Sequence, residues 1–258
     1  MAATGSLPYA RGSLVCSRGA DHASRCRRPR YLDAITAVFI TALVTSNIVS
    51  AKTITLGGLT MGAGVFIFPL SYIFGDVLTE VYGYRRSRRV IWLGFGSAAL
   101  ASIIFLICDR LPASAVFAHQ QAFHTILGPS PLVFAASLTA YACGEFCNSY
   151  VLAKLKIWSE GRHLWLRTIG STILGEAVDS AVFYPLAFLG LPLLVGMPEA
   201  SWPWQQVQTV MLTNYVLKVL VEVVFTPVTY RIVALLKRAE GLDVYDRDTN
   251  FSPFALES

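Results

Sequence analysis

Residues 164–189 read LWLRTIGSTILGEAVDSAVFYPLAFL. At about 1.5 Å per residue this stretch is long enough to cross a hydrocarbon core of about 30 Å. Its middle nevertheless carries Glu176 and Asp179, three residues apart and therefore on one helical face. An ionisable group inside a span costs about 2.5–3.5 kcal/mol on insertion scales, so that face turns toward protein rather than lipid. The stretch predicts an all-α integral membrane protein with a polar interior. Composition agrees: of 258 residues 54% are hydrophobic and 14% charged, against about 25% charged in a typical soluble domain.

Working outward, apolar stretches of similar length predict a six-transmembrane-helix bundle. The spans fall at Tyr31 to Ser50, Val65 to Tyr82, Val90 to Cys108, Leu132 to Leu155, Leu164 to Leu189 and Val207 to Leu236. A Gly- and Thr-rich stretch with Lys52 joins the first two. Pro112, Pro129 and Pro131 bracket a short amphipathic piece at His119 to Leu127. Pro69 and Pro227 are expected to kink their spans, and Pro185, Pro192, Pro198 and Pro203 to break up the region before the last one. Residues 1–30 read as an Arg-rich tail, 31–238 as the membrane domain and 239–258 as a second tail.

Lys and Arg set the orientation. With the N-terminus inside, the inner segments hold 18 of the 21 basic residues, leaving only Lys52, Arg110 and the intramembrane Lys218. Both termini are therefore expected on the cytoplasmic side. Trp202 and Trp204 mark the outer interface, Trp92 and Trp165 the inner one. Basic residues placed between spans orient a chain in a bilayer and do not point to nucleic acid.

The chemistry sits in the ionisable groups of the spans: Asp76, Glu80, Glu145, Glu176, Asp179, Lys218 and Glu222. Asp76 and Glu80, Glu145 and Asn148, Glu176 and Asp179, and the series Asn214, Lys218 and Glu222 each share a helix face by i+3 or i+4 spacing. Asp76, Glu145, Glu176 and Lys218 lie at similar depths, so four helices offer polar groups to one compartment. Gly75, Gly144 and Gly175 directly precede three of the acids, and glycine admits close helix approach. Lys218 is expected to pair with a neighbouring carboxylate in a partly structural role. Glu80, near the inner interface, is expected to snorkel toward Arg85 to Arg89. Six acids meet one buried base, and the excess calls for protons, a cation or a donor-rich ligand. Tyr72, Tyr141 and Tyr184 lie near the polar sites and are candidates to stack on a planar ligand.

Other classes gain little support. The five cysteines form no disulfide or zinc framework, and Cys143 and Cys147 read as packing residues. The four histidines fall outside the spans, and no nucleophile motif, phosphate loop, catalytic set, metal site or cofactor site is expected.

Several pieces in order, Ser46-Asn47 with Lys52, Phe68-Pro69, Asp76 with Glu80-Val81-Tyr82-Gly83, Gly144-Glu145, Gly175-Glu176 with Asp179, and Lys218, resemble the YhhQ family of bacterial queuosine precursor transporters. Leu236 to Gly241, Asp243-Val244-Tyr245-Asp246 and Phe251-Ser252-Pro253-Phe254 add to the likeness. The resemblance implies a fold similar to the substrate-binding components of energy-coupling-factor vitamin transporters. It also implies a small-molecule 7-deazapurine substrate: 7-cyano-7-deazaguanine, 7-aminomethyl-7-deazaguanine or queuine, carried by alternating access. A guanine-like face donates from N1–H and its exocyclic amine to a carboxylate and accepts at O6.

The substrate-binding candidates are thus Asn47, Asp76, Glu145, Asn148, Glu176, Asp179, Asn214 and Lys218. Lys52, Glu80 and Glu222 are accessory or proton-coupling candidates, and a homo-oligomer is open. Two other readings stand beside uptake by a lone carrier. One is a substrate-binding subunit of an ATP-driven transporter, which a co-purifying coupling protein would reveal; the other is a membrane enzyme, which product analysis would reveal.

Overall fold

The computed structural model describes residues 29–50, 52–56, 59–127, 131–194, 196, 201–247 and 249–255. Most of the Arg-rich tail lies outside the described residues, as do Pro129 and Pro198. The chain is helical almost throughout: α1 (Leu32–Val49), α2 (Phe68–Tyr82), α3 (Tyr84–Arg110), α4 (Gln120–Leu127), α5 (Pro131–Trp158), α6 (Leu164–Pro185), α7 (Leu191–Leu194) and α8 (Trp204–Glu240). Among the described residues, four segments are long and apolar enough to cross a membrane: Leu32–Val49, Tyr84–Arg110, Leu164–Leu194 and Trp204–Glu240.

Three local expectations are corrected. The Gly- and Thr-rich stretch is not a plain connection but an antiparallel hairpin, β1 (Thr53–Leu56) with β2 (Leu59–Gly62), pairing Thr53 with Gly62 and Leu56 with Leu59. The all-α reading therefore carries one small sheet, in which β-branched threonines and an isoleucine suit an extended backbone. Pro69 does not kink a span. It sits in the first turn of α2, where a missing N–H costs nothing and the fixed φ suits a helix start. A 3₁₀ turn at Ala63–Phe66 leads into it, so α2 has only 15 residues. Finally, Cys143 is exposed on α5 instead of packing inside, while Cys147 is half-buried.

Pro227 lies inside α8, and Pro185 closes α6 ahead of a π-helical stretch at Leu186–Gly190. The missing N–H of a proline frees a carbonyl one turn back, which favours such local rewinding. Gly83 joins α2 to α3 in a single residue at φ +84°. A Cβ there would also meet Val244 Cγ1 at 2.7 Å, so glycine is required twice over. Gly241, at φ +64°, ends α8 with its N–H donating to the Lys237 carbonyl, the left-handed stop that glycine permits.

Both ends of the helical region meet at one basic end of the bundle. Glu240, at the end of α8, accepts from the backbone N–H groups of Arg30 and Tyr31 and from Tyr82 Oη, at 3.0, 2.8 and 2.9 Å. This supplies acceptors to the otherwise unpaired donors at the start of α1. An apolar core of Phe39, Leu43, Ile73, Val77, Leu78, Val81 and Ile91 fills the space between α1, α2 and α3. Between α5 and α6 the packing is of another kind. Gly144 and Gly175 face each other so closely that a Cβ on either would stand 3.0 Å from the other's carbonyl oxygen. One at Gly144 would also stand 2.8 Å from Asp179 Cβ and from Tyr72 Oη. Gly75 leaves the space that the Glu145 carboxylate fills.

At Gly144 two of these neighbours, the Gly175 carbonyl and Asp179 Cβ, belong to the backbone or to the first atom of a side chain and cannot swing away. Gly144→Val should therefore lower stability in detergent by roughly 1–3 kcal/mol, the usual cost of overpacking, with Gly144→Ala intermediate. Gly96→Ala, at a position with nothing within 4 Å of the added carbon, should not lower it; melting curves of the three variants decide.

Candidate functional site

The polar residues separate into two layers. The first lies mid-bundle. Lys218 on α8 reaches Asp179 Oδ2 at 2.7 Å with a hydrogen bond and Glu176 Oε2 at 2.9 Å as an ion pair. Asp76 Oδ1 on α2 accepts from Asn148 Nδ2 on α5 at 2.7 Å. Glu145, fully buried beside Gly75, has no hydrogen-bond partner for either carboxylate oxygen among the described residues. Glu222 lies one turn from Lys218, close enough to Asp76, Glu145 and Glu176 for their charges to interact. Its oxygens also lack a hydrogen bond among the described residues.

The glycines explain how four helices reach one point. Close contact at Gly144 and Gly175 sets α5 against α6, so that Asn148 Cβ packs within 2.7 Å of where a Gly175 side chain would begin. Tyr72 and Tyr141 are buried beside this layer, and Tyr184 is half-buried and stacks on Phe188 with centroids 6.1 Å apart. The groups close on one another. The cavity between α1, α3 and α5 and the one at Glu160, Tyr245 and Arg247 are lined by other residues.

Not every sequence candidate joins this layer. Asn47 donates to the Leu43 carbonyl of its own helix and accepts from Ser137, lining a cavity of ≈ 20 Å³ between α1, α3 and α5. The Asn214 amide donates to the Val210 carbonyl one turn back. Lys52 is exposed beside the hairpin.

Glu80 belongs to a second layer, at the basic end. Its carboxylate does not turn to Arg85 to Arg89. Glu80 Oε1 instead meets Lys237 Nζ at 2.6 Å, Arg167 Nη2 at 2.8 Å and Lys156 Nζ at 3.6 Å. Glu80, Lys156 and Arg167 are buried. Asp243, beyond α8, takes Lys156 at 2.6 Å and Lys237 at 2.9 Å. Nothing local in the sequence pairs Lys156 or Arg167 with Glu80, some eighty positions away.

Asp243 begins a strap that runs back across the bundle. Lys156 also donates to the Val244 carbonyl at 2.7 Å. Asp246 accepts from the Tyr84 N–H at 2.9 Å. Arg88 donates to the carbonyls of Asn250 and Ser252, both at 2.7 Å, and Trp92 Nε1 to that of Pro253 at 2.8 Å. The stretch expected as a tail is thus docked on α2, α3 and α5.

Comparison with known proteins gives the class and then the family. A transporter is what these helices and their buried charges describe, and two curated relatives carry that name. A "Probable queuosine precursor transporter" from Bacillus subtilis is 32% identical over 193 residues, 73% of this chain and 79% of the relative. A "Queuosine precursor transporter" from Escherichia coli is 25% identical over 217 residues, 83% and 92% of the two. The family profile described as "Putative vitamin uptake transporter" matches residues 62–232, and the chain belongs to that family. It is a multi-pass protein of the bacterial inner membrane, and a transporter instead of an enzyme. No solved structure matches.

Two outcomes follow. Partial burial alone would push the Asp243 carboxyl up, but the hydrogen bonds and charges of Lys156 and Lys237 outweigh it and hold it below the usual aspartate range. Its contribution is therefore complete above an unfolded value of about 3.9 and is lost as pH falls through the lower folded value. Asp243→Asn should lower the melting midpoint in detergent at pH 7 and remove this pH dependence; an unchanged midpoint and an unchanged pH profile would remove this role. Lys218→Met leaves two acids without their cation and should cost about 3–5 kcal/mol. Adding Glu176→Gln and Asp179→Asn should restore most of it, as judged by melting in detergent.

Proposed function

We propose that this chain is a six-span carrier, with both termini in the cytoplasm, that takes up queuosine precursors through the mid-bundle layer. The observation that carries the reading is that Lys218 on α8 holds Glu176 and Asp179 of α6, while buried Asp76 on α2 takes only Asn148 and buried Glu145 on α5 has no hydrogen bond among the described residues. A 7-deazaguanine matches this set in kind. Its N1–H and exocyclic amine are paired donors for a carboxylate such as Glu176 or Asp76, and its O6 accepts from Lys218. A protonated aminomethyl substituent would take Glu145, whose oxygens have no hydrogen bond among the described residues.

Six spans follow if α2 and α5 join the four helices that qualify by length and composition. α2 is short, with 15 residues including Asp76 and Glu80, and Glu145 and Asn148 lower the apolar character of α5. The basic end, crowded with Arg and Lys, then faces the cytoplasm. Substrate entry exchanges the internal pairs of Lys218, Glu176 and Asp179 for bonds to the base, and alternating access carries it across.

Uptake of labelled 7-aminomethyl-7-deazaguanine by cells tests this. Removing a charge-assisted hydrogen bond costs about 1.5–3 kcal/mol, so Asp76→Asn and Lys218→Ala should each cut apparent affinity by about tenfold or more. Glu145→Gln should weaken binding of the aminomethyl base more than of the cyano base. Unchanged uptake in the first two variants would end the assignment.

A further inference from the structure

Between the two charged layers the interior is built of hydroxyls. Thr79 on α2, Ser149 on α5, Thr168 and Thr172 on α6, and Thr226 and Thr229 on α8 are all buried, and by position they lie between the Lys218 layer and the Glu80 cluster. The hydroxyls of Thr79, Ser149 and Ser87 on α3 form one cluster, with Thr79 Oγ1 2.9 Å from Ser87 Oγ and 3.1 Å from Ser149 Oγ. Thr168, Thr226 and Thr229 bond back to carbonyls of their own helices. Thr172 Oγ1 has no hydrogen-bond partner among the described residues. Small side chains favour close helix packing wherever they fall, but here each of four helices carries them between its polar group in the mid-bundle layer and its member of the buried ion cluster, Glu80, Lys156, Arg167 or Lys237, a seam by position from one layer to the other.

We propose that this seam is the cytoplasmic exit of the carrier and that the Glu80 cluster is the gate that shuts it, an assignment that rests on the uptake reading above. A buried ion network is an unremarkable source of stability, since apolar replacements of similar volume often do as well or better. Its advantage lies in opening. If α6 and α8 move away from α2 and α5, Glu80, Lys156, Arg167 and Lys237 meet water, and hydration offsets the lost pairs. An apolar closure would expose hydrocarbon instead. The hydroxyls behind the gate offer a base alternating donors and acceptors along its way out. Asp243 joins the two lysines to the strap, so the docked strap holds the gate shut from outside the spans.

Charge balance makes the gate breakable by one substitution. Three cations contact Glu80 Oε1, and Asp243 pairs with two of them. Neutralising Glu80 leaves Lys156, Arg167 and Lys237 repelling one another around Asp243 alone.

The test uses the full chain with its native cysteines replaced by serine and with Thr172→Cys, in inside-out membrane vesicles. The rate of reaction with a membrane-impermeant methanethiosulfonate is read from the cytoplasmic face. It should be slow in this parent. Adding Glu80→Gln, or separately Asp243→Asn, should raise it by about tenfold or more, as a comparable shift in the open population requires. Asp243 lies outside the helices with its side chain 45% exposed, so its variant carries the test if Glu80→Gln does not fold. Equal rates in the parent and in both folded variants overturn the gate. Binding of 7-aminomethyl-7-deazaguanine to the purified parent is measured beside it. If rates rise while the parent binds no base, the gate stands and the substrate assignment falls.

Discussion

A carboxylate removed from water needs a donor, and this bundle encloses more carboxylates than it has ammonium groups to meet them. Most of what is unusual in the fold follows from that imbalance. Lys218 is shared between Glu176 and Asp179, Asn148 is given to Asp76, and Glu145 and Glu222 remain without hydrogen bonds among the described residues. Such an arrangement is poor as a purely structural core, because the cost of burying each ion is repaid only by good geometry and full hydrogen bonding. It suits a site whose missing donors arrive with a ligand.

Glycine makes the arrangement sterically feasible. Each of the three glycines sits just before an acid, and each removes a side chain at a helix crossing where a Cβ would strike a neighbour. The energetic gain is indirect: backbones come close, so short side chains such as those of Asp179 and Asn148 meet partners on adjacent helices. The same closeness draws the layer's side chains onto one another, with Lys218 and Asn148 as donors and with Glu145 and Glu222 left without hydrogen bonds among the described residues.

The architecture was legible where physics is local. Apolar length located the long helices, with the ends of α1, α4 and α6 within a few residues of expectation, and i+3 and i+4 spacing identified the faces that turn inward. Glu176, Asp179 and Lys218 were readable as neighbours because each sits at the middle of its own span. The hairpin was not readable, since four-residue strands carry too little pattern. Glu80 was misplaced because its partners, Lys156, Arg167 and Lys237, lie far along the chain and looked like ordinary loop charges. The docking of residues 243–254 was missed for a related reason: a polar stretch after a final span reads as solvated until the backbone carbonyls it offers to Arg88 and Trp92 are seen.

The strap also bears on how the protein is made. Translation delivers α2, α5 and α6 to the bilayer well before Asp243 leaves the ribosome, and domains assemble from the N-terminal side as they emerge. Until Asp243 arrives, Lys156 and Lys237 lack one of their two anions. A nascent chain halted after Glu240 would therefore be a membrane-inserted bundle whose basic end had yet to set.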